Sequence, residues 1–236
     1  MRVSAALLCI VTHACWTVDA NVEKTVFLAP SPLTLPNVHP SLDDLRLDSL
    51  LPALASILET RLPVQFPTKA APRGLESWYI LRGLDDGRRY EVRICWPATQ
   101  PTDFWLDTYS VTHVLDTPNL LSSLALYSEQ RQPNSLDALA PSNEAPLAPQ
   151  SVLFLRVQAA ASYYSNNQTL MKFPPPVDAD IILDPYLLNL LPRSLGPTAA
   201  YITLVAIGAW FISGFIYRWL LSVAIAAESP AKPHTD

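Results

Sequence analysis

Two acidic residues separated by one position, Asp178-Ala179-Asp180, carry the most recognisable chemical pattern in this chain. Many nucleotide-sugar transferases hold a divalent cation with the two carboxylates of such a D-x-D pair, because hard cations prefer oxygen ligands. Here the pair follows three prolines and enters Ile181-Ile182-Leu183, which is typical of the polar edge of a strand. A membrane-tethered hydrolase or transferase that uses Asp178 and Asp180 is one hypothesis, and a strand edge is the favoured interpretation.

A second group of residues could supply an acid and a base, but a solvated strand end is the favoured interpretation: Asp103, Asp107, His113 and Asp116. His39, His113 and Cys95 are too few for a metal site with His/Cys spacing. The chain contains no G-x-S-x-G, no H-E-x-x-H and no phosphate-binding glycine loop. We therefore predict a non-enzymatic protein with no catalytic residues, no metal site and no cofactor.

The sequence also predicts one membrane-spanning helix near the C-terminus. Thr198 to Tyr217 has no formal charge, and a helix of that length covers about 30 Å, the hydrocarbon thickness of a bilayer. The apolar run resumes after Arg218 and extends to Ala227. Small residues at helical spacing predict a surface for helix packing in lipid: Ala199, Thr203, Ala206, Ala209 and Ser213.

Arg218 and the residues after it define the far end of the span. Arg218 and Trp219 are expected at the cytoplasmic interface; the alternative places Arg218 inside the bilayer, where it would need a carboxylate partner. The tail, residues 228–236, contains Lys232 and His234 in a K-x-H-x-x pattern. This pattern resembles the signals that return type I proteins to the endoplasmic reticulum.

The N-terminus predicts entry into the secretory pathway. Residues 1–20 have a short positive start, an apolar run and small residues near Ala20, so we expect a signal peptide cleaved before Asn21. An uncleaved signal anchor is the alternative. Cleavage gives a type I topology with residues 21–193 in the lumen, where Asn167 lies in an N-x-T sequon and becomes a candidate glycosylation site.

Residues 21–193 are expected to form one antiparallel β-sandwich, so the fold class is mainly β with one C-terminal transmembrane helix. Tyr90 to Trp96 alternates apolar and polar residues, and Asp86-Gly87 predicts a hairpin with the preceding Trp78 to Arg82. Leu42 to Leu62 is expected to form two short elements, because Pro52 would break a helix. Further strands are expected at Thr25–Leu28, Phe104–Val114, Ser151–Val157 and Ile181–Leu183, with a proline-rich loop over residues 129–150.

Charge and cysteine content limit the possible partners and cross-links of the chain. A net charge of −5 without a block of Lys or Arg argues against nucleic acid as a partner. After removal of Cys9 and Cys15 with the signal peptide, Cys95 has no partner for a disulfide within the chain. We expect it to be buried and inert; an intermolecular disulfide is the alternative.

Three stretches resemble the GPI mannosyltransferase II co-activator family: Asn21–Pro30, Tyr90–Pro97 and Asp184–Arg193. The order of signal, luminal domain, late span and short tail is also similar. The resemblance implies a non-catalytic subunit in the endoplasmic reticulum membrane. Its partner would be the polytopic enzyme that transfers the second mannose of the GPI precursor from dolichol-phosphate-mannose.

Two other functions stay open at this point. One is an accessory subunit of GPI mannosyltransferase I, which would have the same kind of luminal domain and late span. The other, from a different class, is a type I cargo receptor or adhesion module, for which the glycan at Asn167 would mature beyond the endoplasmic reticulum.

Overall fold

The computed structural model describes residues 21–32, 42–131 and 151–227, which form two β-sheets and four α-helices. The strands are β1 (Val22–Leu28), β2 (Ser49–Leu50), β3 (Ile57–Leu62), β4 (Leu75–Leu84), β5 (Arg89–Cys95), β6 (Thr102–Ser110), β7 (Ser151–Ala161), β8 (Val177–Leu187) and β9 (Leu191–Pro192). The helices are α1 (Val111–Asp116), α2 (Pro118–Gln130), α3 (Gln168–Lys172) and α4 (Gly196–Ala227), and 3-10 turns cover Leu42–Leu45 and Arg193–Leu195.

One sheet contains five strands in the order β1-β5-β8-β3, with the short β9 paired to β8, and all of its pairs are antiparallel. The alternation predicted for β5 is confirmed: Tyr90, Val92 and Ile94 are fully buried in the core, and Arg93 lies on the other face. The strands expected at Thr25–Leu28 and Ile181–Leu183 are confirmed as parts of β1 and β8.

The other sheet has the order β2-β4-β7-β6 and is antiparallel except for the β2–β4 pair. Its inner face, which includes Tyr79, Leu155 and Leu106, packs against the five-stranded sheet in one hydrophobic core. The expected antiparallel sandwich is therefore confirmed, as is the strand at Ser151–Val157, which continues through the alanines to Ala161.

Helices α1 and α2 cover the outer face of the four-stranded sheet, where Trp78 and Phe154 pack against Val114 and Leu124 in a second core. Neither helix is among the elements expected from the sequence, and the strand expected over Phe104–Val114 is wrong beyond Ser110. The Ser110 side chain accepts the His113 N–H at 3.2 Å and so begins α1 as an N-cap. Helix α2 begins at Pro118, a residue that favours the first helical position.

The hairpin expected between β4 and β5 is wrong, because these strands lie in different sheets. The turn itself exists: the Arg88 N–H donates to the Asp85 carbonyl at 3.1 Å, and Gly87 has a φ of 66°. The chain therefore uses this turn to cross from the four-stranded sheet to the five-stranded one.

The predictions for Leu42 to Leu62 and for residues 129–150 differ from the observed bounds of the elements. Leu42 to Leu62 contains three short elements where the sequence predicts two: a 3-10 turn and the strands β2 and β3, with Pro52 in the turn between the two strands. The loop expected over residues 129–150 is wrong for Glu129 and Gln130, which are the last residues of α2. Residues 132–150 lie outside the described part of the chain.

Candidate functional site

The D-x-D carboxylates lie on the outer face of β8, beside an open cleft of about 490 Å³. The Asp178 carboxylate accepts from Arg61 Nε at 2.7 Å and from Gln100 Nε2 at 3.1 Å. These two donors hold the pKa of Asp178 below its usual range. Asp180 pairs in register with Glu59 on one side and Cys95 on the other. Within the described residues no three His, Cys, Asp or Glu side chains group closely enough to hold a metal ion.

The other acidic candidates do not converge on one point. Asp107 binds Arg156 Nη2 at 2.7 Å on β6, and His113 stacks on Tyr109 with 5.6 Å between the ring centroids. Asp103 and Asp116 are exposed, the first on β6 and the second at the end of α1. Asp107 is therefore ion-paired within β6 and not at a solvated strand end, whereas Asp103 and Asp116 face solvent. Cys95, expected to be buried, is only half-buried, on the outer face of β5.

A polar network that the sequence patterns do not indicate links α2 to the four-stranded sheet. Arg156 contacts Asp107 and, at 3.6 Å, Glu76, and it also donates to the Tyr109 hydroxyl at 2.7 Å. Glu76 accepts from Ser123 on α2, whose hydroxyl in turn accepts from Trp78 Nε1 at 3.0 Å. The network borders a cavity of about 510 Å³. Apart from the buried Arg156 Nε, which has no hydrogen-bond acceptor among the described residues, these groups bond to one another, so we assign the network to holding α2 on the sheet.

Replacing Arg156 with alanine should lower the free energy of unfolding by about 2–3 kcal/mol, since it leaves two partly buried carboxylates without their cation. Thermal unfolding of the full chain in detergent measures this loss. The control is Arg73→Ala, because Arg73 is half exposed and reaches Asp107 only at 4.0 Å, which predicts a loss below about 1 kcal/mol. Equal losses in the two variants would contradict the assignment.

The β8–β9 hairpin is fixed to the turn that connects the two sheets. The Asn189 side chain accepts the Arg89 N–H at 2.8 Å and donates to the Gly87 carbonyl at 3.1 Å. Arg88 Nε donates to the Tyr186 carbonyl at 3.2 Å. These bonds hold the hairpin against the body of the sandwich.

The segment between the hairpin and α4 is bonded to the same sheet. Asp184, which is only 6% exposed, accepts the Ser194 N–H at 3.1 Å, and Arg93 donates to the Ser194 hydroxyl at 3.3 Å. The 3-10 turn Arg193–Leu195 is thus tied to β8 and β5 immediately before α4 begins. The 3-10 turn that leads into α4 is therefore joined to the domain by specific hydrogen bonds as well as by the chain.

Helix α4 is 32 residues long and contains the expected span Thr198–Tyr217. Its length and composition would allow it to cross a membrane, and it continues past Arg218 without a break. At 100° per residue the small residues occupy about a third of its circumference. Trp210, which is 80% exposed, lies on that same face. The Thr203 hydroxyl donates to the Ala199 carbonyl at 2.8 Å, so this polar group is satisfied inside the helix.

The remaining site predictions fall in different parts of the chain. Asn167 is exposed and begins α3, and its side chain accepts the Thr169 N–H at 2.9 Å. Asn21 is the first described residue before β1. Ala20, Lys232 and His234 lie outside the described residues.

These features define a class of protein: a helix-backed β-sandwich joined to one long apolar helix, with the Asp178 carboxylate of its D-x-D pair bonded to Arg61 and Gln100. Residues 13–126 match the family described as GPI-Mannosyltransferase II co-activator, and the resemblance to this family is thereby confirmed. The match includes Asn21–Pro30 and Tyr90–Pro97 and ends before Asp184–Arg193.

The chain is also similar to a GPI mannosyltransferase 2 subunit of Schizosaccharomyces pombe (strain 972 / ATCC 24843). The two are 25% identical over 135 residues, which is 57% of this chain and 52% of the relative. The matched part thus spans about half the length of that curated relative. No solved structure matches the chain significantly.

Proposed function

We propose that this chain is a non-catalytic, single-pass subunit that stabilises or positions the mannosyltransferase adding the second mannose during GPI-anchor biosynthesis. The observation that carries the proposal is the match of residues 13–126 to a family described as a co-activator of that enzyme. The name of the Schizosaccharomyces pombe relative, a subunit of GPI mannosyltransferase 2, points to the same assembly.

The geometry supports an accessory role. The D-x-D carboxylate of Asp178 is bound by Arg61 and Gln100. The polar network of the sandwich bonds to Ser123 and so holds α2 on the sheet. One apolar helix cannot form a many-helix transferase core, so the partner is a polytopic catalytic subunit. In this proposal α4 contacts that subunit through the face of Ala199, Thr203, Ala206, Ala209 and Ser213, with Trp210 packed between them.

The proposed location is the endoplasmic reticulum membrane, in type I orientation with the sandwich in the lumen. The signal peptide is cleaved between Ala20 and Asn21, and Asn167, exposed at the start of α3, carries a glycan. Thr198 to Tyr217 covers about 30 Å as a helix, which places Arg218 at the cytoplasmic interface. Lys232 and His234 then lie in the cytoplasmic tail as a retrieval signal.

Depletion of this protein should block addition of the second mannose, because the catalytic subunit loses its stabilising partner. Labelled lipid precursors extracted from depleted cells are the measurement, and we expect the one-mannose precursor to accumulate. Accumulation of the zero-mannose precursor would instead assign the chain to GPI mannosyltransferase I. An unchanged precursor profile, or a glycan at Asn167 that resists endoglycosidase H, would favour a cargo receptor or adhesion module.

A further inference from the structure

Leucine side chains are unusually exposed at the tip of the β8–β9 hairpin. Leu188 is 92% exposed and Leu190 is 80% exposed, although the strands behind them are well packed. Leu187, at the end of β8, and Leu195, in the 3-10 turn before α4, are each more than two fifths exposed. Four leucines within nine residues therefore form one apolar patch, which we call the leucine tip. Such a patch on a folded domain indicates a contact surface.

The backbone at the leucine tip is also unfavourable for leucine. Leu188 and Asn189 have φ angles of 52° and 57°, and the Leu190 N–H donates to the Leu187 carbonyl at 3.0 Å, as in a two-residue type I′ turn. Asn tolerates this left-handed region, and Asn189 uses it to bind Arg89 and Gly87. Leucine is disfavoured there. Neither backbone preference nor burial within the domain accounts for a leucine at position 188.

The leucine tip is continuous with the start of α4. A Cβ placed on Gly196 would lie 3.4 Å from Leu187 Cδ1, so the hairpin packs directly against the first residue of the helix. Leu195 precedes that residue, and the bonds from Asp184 and Arg93 to Ser194 fix the turn between them. Where α4 enters a bilayer, the leucine tip must therefore lie at the level of the same membrane surface.

We propose that the leucine tip inserts into the leaflet on the domain's side of the membrane and thereby sets the orientation of the β-sandwich on the bilayer. The occupant of this surface is lipid, because the tip adjoins the end of an apolar helix whose own surface requires lipid or helix contacts. Transfer of exposed leucine from water to hydrocarbon is favourable. This inference rests on the membrane span of the proposed function.

Spin labels on the full chain in liposomes test the insertion. In a background with all three cysteines replaced by serine, single cysteines are introduced as L188C, A206C and Y164C and labelled with a nitroxide. A206C reports on the middle of α4. Y164C is the matched control, since Tyr164 is 85% exposed in the loop between β7 and α3, outside the β8–β9 hairpin and the segment that leads into α4. Collision rates with oxygen and with a water-soluble nickel complex are measured at each site.

We expect the oxygen-to-nickel collision ratio at L188C to be several-fold higher than at Y164C and lower than at A206C. A ratio at L188C equal to that at Y164C would overturn the insertion, while a high ratio at A206C would still support the span. Low collision rates with both reagents at L188C would also overturn it, because they indicate a protein contact.

A second variant separates lipid contact from fold stability. Asn suits the left-handed conformation at position 188, so L188N should leave the thermal unfolding of the domain unchanged or raise its midpoint. With the label at L190C, the same substitution should lower the oxygen-to-nickel ratio several-fold. An unchanged ratio at L190C would contradict the role of Leu188 in insertion.

Discussion

Replacing Gly74 with alanine should prevent the β-sandwich from reaching its native structure. A Cβ on Gly74 would lie 1.9 Å from the Ala159 carbonyl oxygen and 2.8 Å from Ala160 Cα, far inside van der Waals contact. Both are backbone atoms of β7, so no side-chain rotation relieves the clash. The φ of Gly74 is +77°, which adds a conformational cost for any residue with a Cβ.

The position of Gly74 makes the expected loss large. It precedes β4, whose first residue Leu75 pairs with Ala159, so a shift here displaces β4 from β7. These two strands carry Tyr79 and Leu155 of the main core and Trp78 and Phe154 of the second core. We expect a loss of more than about 4 kcal/mol, comparable with the whole stability of many domains.

Protease resistance and thermal unfolding of the full chain in detergent measure the effect of Gly74→Ala. Gly87→Ala is the matched control, because Gly87 has a similar φ of +66° but no atom within 4 Å of the added Cβ. It should therefore lose only about 1–2 kcal/mol from backbone strain. If the two variants unfold at the same temperature, the close approach of β7 is not what constrains Gly74.

Strands of the five-stranded sheet are predictable from sequence where burial on one face imposes a period of two, whereas β4 and β7 are buried on both faces and do not alternate. In β5 this period alone assigns Tyr90, Val92 and Ile94 to the buried face, which is where they lie. Pairing is less predictable. Asp86-Gly87 correctly indicates a turn, but a turn specifies only a local reversal of the chain. Whether β5 pairs with β4 or crosses to the other sheet depends on partners more than 60 residues away, such as Lys24 and Glu91 in β1 and β5.

Helix α2 has a sequence signal that is local and easily overlooked beside the strands. Thr117-Pro118 is a typical helix start, and Leu120 and Leu124 are spaced four residues apart on the buried face. The sheet face on which α2 packs is determined by distant contacts, such as the hydrogen bond from the Trp78 indole to Ser123, 45 residues away. The local helix is therefore predictable from sequence, but its packing surface is not.

In the β8–β9 hairpin, too, the roles of individual residues cannot be predicted from the sequence. The stretch Asp184–Arg193, which lies outside the matched residues 13–126, gives no physical reason for the identities of its residues from sequence alone. The structure supplies the reason for several of them, since Asp184 and Asn189 act as hydrogen-bonding groups for Ser194, Arg89 and Gly87. Arg89 and Gly87 are distant from Asn189 in sequence, and the bond from Ser194 to Asp184 depends on the backbone conformation of the turn. Composition and periodicity predict neither.

Replacing Asp184 with alanine should uncouple the sandwich from α4 and strongly reduce addition of the second mannose. The change removes a nearly buried acceptor and leaves the Ser194 N–H without it, which costs about 1–3 kcal/mol locally. Most of this cost falls on the turn before α4, so the domain should stay folded while its orientation on the membrane becomes variable. Cells carrying only this variant should accumulate the one-mannose precursor at normal protein levels.

Two matched variants on β8 identify the cause of the Asp184→Ala phenotype. Asp184→Asn keeps an oxygen that can accept the Ser194 N–H and should retain most activity, which would show that the hydrogen bond matters more than the charge. Asp180→Ala changes an exposed carboxylate on the same face, four residues earlier, and should have no effect. If Asp180→Ala and Asp178→Ala together abolished the second mannosylation while Asp184→Ala did not, coupling through the hairpin would be contradicted. That result would instead indicate a direct role of Asp178 and Asp180 in the mannosylation, because both carboxylates lie on the outer face of β8.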